Sequence, residues 1–86
     1  MKDIEPEIAK RARAEEWDYF TAMRTGVYCE LGKGCVDFRA MLRWLSSRDY
    51  KGYVLVEQDI LPGMGTHKES AQRSREYLRS VEKYFA

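Results

Sequence analysis

Eighty-six residues suffice for one small domain or part of a larger one, and a chain of that size buries only about 60–65% of its unfolded surface. Fifteen basic residues balance fourteen acidic ones to a net charge of +1, which argues against nucleic acid or an anionic membrane as partner. No apolar run reaches the roughly 20 residues that cross a bilayer and no apolar leader core opens the chain, so a cytoplasmic location is expected.

Met1-Lys2-Asp3-Ile4 is too short to assign by itself, and its place ahead of Pro6 permits the tail of a strand whose beginning is absent. Glu5-Pro6-Glu7 marks a helix start, because proline is tolerated in the first turn and acids favour a helix N-terminus. Ile8, Ala12, Trp17, Phe20 and Met23 form an apolar stripe from about 6 to 24 that breaks near Glu15–Asp18. Two short helices are therefore predicted, with Asp18 capping the second and Gly26 stopping it.

Gly32-Lys33-Gly34 marks a sharp turn or a close backbone approach, and its amides could hold an anion, although it matches neither a P-loop nor a dinucleotide fingerprint. Cys29 and Cys35 lack metal-site spacing and have no histidine beside them, so free thiols are expected. Asp37 is a good cap for a helix to about Ser47, in which Phe38, Met41, Leu42 and Leu45 make a core-facing stripe. Near the other end, Thr66 and Glu69 form a capping box. The helix they open runs to about Tyr84, with Ala71, Leu78, Val81 and Phe85 inward and Arg73 among the solvated residues.

Between these helices lies Tyr53-Val54-Leu55-Val56-Glu57-Gln58-Asp59. Four apolar residues in succession, without alternation, predict a strand over about 53–58 that is buried on both faces, as in a parallel sheet covered by helices. Three polar residues then arrive together at its C-terminal end, where α/β folds collect their chemistry. Glu57 is thus either a metal-binding or proton-moving carboxylate, or a solvated strand end. One strand among several helices indicates an α/β architecture that is mostly helical and lacks partners for its strand.

Lys2-Asp3, Gly26-Val27, Gly32-x-Gly34-x-Val36-Asp37-Phe38, Tyr50-x-Gly52-Tyr53, Val56-Glu57-Gln58-Asp59, Leu61-Pro62-Gly63 and Glu69-Ser70-Ala71 resemble, in that order, the xylose-isomerase-like family of sugar isomerases and epimerases. Within it they are most similar to the dehydratases that remove water from 2-keto-myo-inositol. The resemblance implies that residues 1–86 are a single partial domain, the last two β/α units of a (β/α)8 TIM barrel. It also implies a divalent metal, manganese, cobalt or magnesium, at the barrel mouth, with a polyol or keto-sugar as substrate. Of the family's four usual ligands only the last strand's glutamate has a match, Glu57, and the histidine would precede Met1. The piece alone is therefore expected to bind no metal and to be inactive. Lys2 matches a position at the end of the preceding strand, where it is a candidate catalytic acid or substrate contact, or a solvated surface lysine. His67 and Asp59 are assigned no chemistry. Two other functions stay open: a sugar isomerase or epimerase on the same barrel, and a non-catalytic α/β module that docks on a partner chain. A strand without edge partners also predicts self-association of the isolated chain, which a sharp monomer peak in size-exclusion chromatography would contradict.

Overall fold

Polar caps decide where each helix begins. The computed structural model describes residues 1–85. Helix α1, Pro6–Ala14, starts behind Glu5, whose carboxylate accepts from the Ile8 amide at 2.7 Å. Helix α2, Tyr19–Thr25, starts at Asp18, which accepts from the Thr21 amide at 2.7 Å, and ends at Gly26. Helix α3, Phe38–Ser47, starts at Asp37, which accepts from the Ala40 amide at 3.0 Å. Helix α4, His67–Val81, opens with the reciprocal box of Thr66 and Glu69 and passes into a 3-10 turn over Glu82–Tyr84. Each of these starts satisfies an otherwise orphaned amide at a helix end. All four agree with the sequence reading.

Two short strands pair antiparallel: β1, Asp3–Ile4, and β2, Tyr28–Cys29, in the register Asp3 with Cys29 and Ile4 with Tyr28. The strand tail expected at Met1–Ile4 is therefore present, although its assigned partner is the β2 segment. The core gathers Val27, Leu31, Phe38, Leu42 and Val81, with the Phe38 and Tyr77 rings edge to face 6.1 Å apart. On α4 the deeply buried seam is Ser70, Ser74 and Val81; of the residues expected inward, Val81 is buried and Leu78 half-buried, whereas Ala71 and Phe85 are exposed. The serines are inward because they serve polar partners: Ser70 Oγ donates to Glu30 at 2.6 Å, and Ser74 Oγ accepts from the Leu31 amide at 3.4 Å.

The buried strand expected over about 53–58 is not formed. No strand is assigned there, and Tyr53 and Leu55 are 96% and 72% exposed. The reason lies in what surrounds the run. Val54 lines an open cleft of about 490 Å³ with Leu42 and Leu78, while Val56 and Gln58 line a second of about 230 Å³ against α4. Even-numbered side chains thus turn toward the helices, while Tyr53 and Leu55 face solvent and Glu57 and Asp59 face Lys2, which is the period-2 pattern of a strand whose helices cover one face only. Its hydrogen bonding is equally partial. The Met1 amino group donates to the Leu55 carbonyl, and the Glu57 amide donates to the Met1 carbonyl at 3.1 Å. Two bonds that straddle Val56 in this way make one rung of a parallel ladder. Among the described residues Met1 is the run's one ladder partner.

The anion expected on Gly32-Lys33-Gly34 is internal. Asp3, fully buried, accepts from the amides of Gly32 and Gly34 at 2.9 Å each and of Val36 at 3.1 Å. A Cβ at Gly34 would collide with that carboxylate and with the Ile4 carbonyl, so only glycine permits the approach.

Candidate functional site

The parallel rung sets which side chains meet. With Met1 beside Val56, Lys2 comes beside Glu57 on the face of the 53–59 run that the helices leave open. Ile4 shares that face of the first segment, and the β1–β2 register places Tyr28 next to Ile4. One surface therefore collects Lys2, Tyr28, Glu57 and Asp59.

Lys2 lies at the centre. Its Nζ donates to Asp59 Oδ2 at 3.1 Å, stands 3.7 Å from Glu57 Oε2, and sits 4.2 Å from the centroid of the Tyr28 ring. The side chain is only 23% exposed, so it is not the freely solvated lysine that a surface position would give. Burial works against its charge, but the hydrogen bond and charge of Asp59, reinforced by Tyr19 and Glu57, outweigh it and hold the lysine above its ordinary pKa. Tyr28 in turn touches Tyr19 at a 6.1 Å ring separation, and Tyr19 meets Phe20 edge to face at 5.5 Å. Glu57 remains largely exposed and, among the described residues, pairs with Lys2 as an ion pair without a side-chain hydrogen bond.

Lys2 and Glu57, the two site residues singled out by sequence, are thus brought together. Asp59 and Tyr28 were missed. The signal for Asp59 was its i+2 spacing from Glu57, which puts both carboxylates on one face of an extended chain. Tyr28 gave no local signal, because its place depends on pairing with a segment 24 residues earlier. His67 begins α4 at the exposed surface.

Among the described residues, no group of three or more His, Cys, Asp or Glu is assembled that could hold a metal ion. Hard divalent ions take about six oxygen or nitrogen ligands. Glu57 and Asp59 alone do not fit one, and Asp59 is already engaged by an ammonium group.

A second polar cluster gathers at the end of β2. Glu30, 3% exposed, accepts from Arg73 Nη2 at 2.7 Å, Lys33 Nζ at 2.8 Å and Ser70 Oγ at 2.6 Å. Arg73 Nη2 also donates to the Met64 carbonyl at 2.7 Å. Arg73, expected among solvated residues, is therefore corrected to a half-buried clamp joining the end of β2, the 61–65 loop and α4. Its guanidinium beside Glu30 holds that carboxyl down at about 2 against the opposing effect of burial, with Lys33 and Ser70 adding to the shift. Cys29 and Cys35 are free thiols, and burial pushes Cys29 up to about 11, which makes it a poor nucleophile. Among the described residues no helix is long and apolar enough to cross a membrane.

No family model matches the chain, and no solved structure matches it. Curated proteins do. The inosose dehydratase of Geobacillus thermodenitrificans is 30% identical over 81 residues, which are 94% of this chain and 27% of that protein. Those of Clostridium beijerinckii and Serratia proteamaculans are each 28% identical, over 79 and 81 residues, again 26% and 27% of their lengths. The chain is thus similar to inosose dehydratases across nearly all of its residues, and it spans about a quarter of the length of these relatives.

Proposed function

We propose that these residues form the closing part of a sugar- or polyol-modifying barrel, a lyase that removes water from a keto-inositol, and that they contribute one wall of its active site. The kinship to inosose dehydratases supports the reaction. The observation that carries the site is the meeting of Lys2, Glu57 and Asp59 on the open face of the 53–59 run. In this reading the exposed Tyr53 and Leu55 face the barrel interior, and the unpaired edge of the run joins strands supplied by other residues.

Dehydration of a β-hydroxy ketone needs three things. A base takes the α-proton, a positive group stabilises the enolate oxygen, and an acid protonates the departing hydroxyl. An ammonium group at Lys2 suits the second or third role, since lysine is cationic at neutral pH and carries donors only. Its Nζ has one hydrogen committed to Asp59, which leaves others for a substrate oxygen. The family's divalent metal supplies Lewis-acid polarisation when bound; Glu57 would be one ligand among several, the rest lying outside these residues.

The test is a chimera in which this chain replaces the matching 81-residue part of the Geobacillus thermodenitrificans enzyme. With manganese present, the folded chimera is expected to dehydrate inosose, followed by the ultraviolet absorbance of the enolised dione. The same chimera carrying Glu57→Gln is expected to lose that activity. A chimera that folds, as judged by circular dichroism, yet forms no product would refute the reading.

A further inference from the structure

The carboxylate that engages Lys2 is Asp59, not the Glu57 beside it. Nζ reaches Asp59 Oδ2 at 3.1 Å, a hydrogen-bonding distance, but stays 3.7 Å from Glu57 Oε2, beyond one. The Tyr28 ring, 4.2 Å away, closes another side of the ammonium group. A lysine on a flexible four-carbon stem has no preferred direction of its own, so the neighbours that grip it decide where its remaining hydrogens point. Glu57 is consequently left in ion-pair contact with Lys2 but without its hydrogen bond.

We propose that Asp59 is a positioning residue for Lys2: with the Tyr28 ring it holds the ammonium group aside from Glu57 and aims it across the open face toward a substrate oxygen. The functional half of this proposal rests on the lyase reading above, whereas the positional half does not. Asp59 contributes no atom to the reaction. Its role is to take the hydrogen bond of Lys2, so that Glu57 keeps only the looser ion pair and the ammonium group points in one direction. Arginine at position 2 would not substitute, because a planar fork would span both carboxylates at once.

Two measurements test this. The first is the set of through-hydrogen-bond couplings between lysine 15Nζ and carboxylate 13C nuclei, recorded on the labelled 86-residue chain. A coupling from Lys2 to the Asp59 carboxylate and none to Glu57 is expected, with the coupling moving to Glu57 in the Asp59→Asn chain. Coupling to Glu57 in the unaltered chain, or a Lys2 signal unchanged by Asp59→Asn, overturns the proposal. The second is the kinetics of the chimera. Asp59→Asn is expected to lower kcat by about tenfold to a hundredfold with KM little changed, the cost of a misplaced group. Asp59→Glu is expected to restore part of it, and Asp59→Asn is expected to add nothing once Lys2→Met is present. An undiminished kcat in Asp59→Asn overturns the proposal. An unaltered chimera without activity defeats the lyase reading instead, and the couplings still decide the position of Lys2.

Discussion

Asp3→Asn is expected to lower the melting temperature of the chain by about 10–20 °C, from a loss of about 2–4 kcal/mol and the usual sensitivity of a domain this small. The carboxylate is fully buried and accepts from Gly32, Gly34, Val36 and Ile4, two amides on each oxygen. Hydrogen bonds to an ionised acceptor are about twice as strong as neutral ones. Asparagine is nearly isosteric but keeps only one of the two acceptors. Its amide nitrogen would have to face backbone N–H groups, donor against donor, in a place water does not reach. Thermal circular dichroism measures the effect. Gly34→Ala attacks the same contact from the other side and should fall in the same direction, since its added carbon meets the Asp3 carboxylate and the Ile4 carbonyl. A shift of less than about 4 °C for Asp3→Asn, the equivalent of roughly 1 kcal/mol, would mean that the loop holds its shape without the carboxylate.

Glu30→Gln is expected to cost about 3 kcal/mol, within the range for breaking a buried pair by removing one charge. The total stability of an 86-residue domain is of the order of 4–13 kcal/mol, so such a loss would populate the unfolded chain visibly in mild urea. Glu30 accepts from Arg73, Lys33 and Ser70 at once, and glutamine leaves the Arg73 guanidinium half buried without its counter-charge. The same carboxylate sets a pH dependence. Its pKa is lowered to about 2 in the fold, first by Arg73 and then by Lys33 and Ser70, while the unfolded chain has the ordinary value near 4.5. The unfolded state therefore binds the proton more readily, and acid favours it. Stability from this group is complete above about pH 5 and is lost as pH falls toward 2, amounting to about 2 kcal/mol once the exposure of Arg73 and Lys33 is allowed for. Urea midpoints measured from pH 7 to pH 3 should fall more steeply in the unaltered chain than in Glu30→Gln. Parallel pH profiles would show that the clamp is not formed in solution.

Local chemistry was legible in the sequence and long-range pairing was not. Asp18, Asp37 and the Thr66–Glu69 box each bond within three residues, so their spacing alone announced them. The two carboxylates that brace the fold are different. Asp3 meets its amides 29 to 33 residues away, and Glu30 meets Arg73 at a separation of 43, distances at which no period or motif speaks. Glycines at 32 and 34 correctly suggested an anion site, but nothing nearby showed that the chain supplies its own anion. The 53–58 run has the apolar residues of a buried strand, and period-2 exposure persists in it. Among the described residues it finds no ladder partner other than Met1 and no layer over Tyr53 and Leu55. Gln58 Oε1 of the same run is buried without a hydrogen-bond partner among the described residues. Glu57 was marked by its place at the end of the apolar run and Lys2 by resemblance alone, and the one parallel rung is what brings them together.

That rung therefore decides the account most directly. Nuclear Overhauser contacts on the labelled chain read the direction in which the first residues pass the 53–59 run. Contacts that advance together, Met1 with Val56, Lys2 with Glu57 and Asp3 with Gln58, are predicted. Contacts that run in opposite directions, or none between the two segments, would separate Lys2 from Glu57 and contradict the shared face on which the proposed chemistry stands.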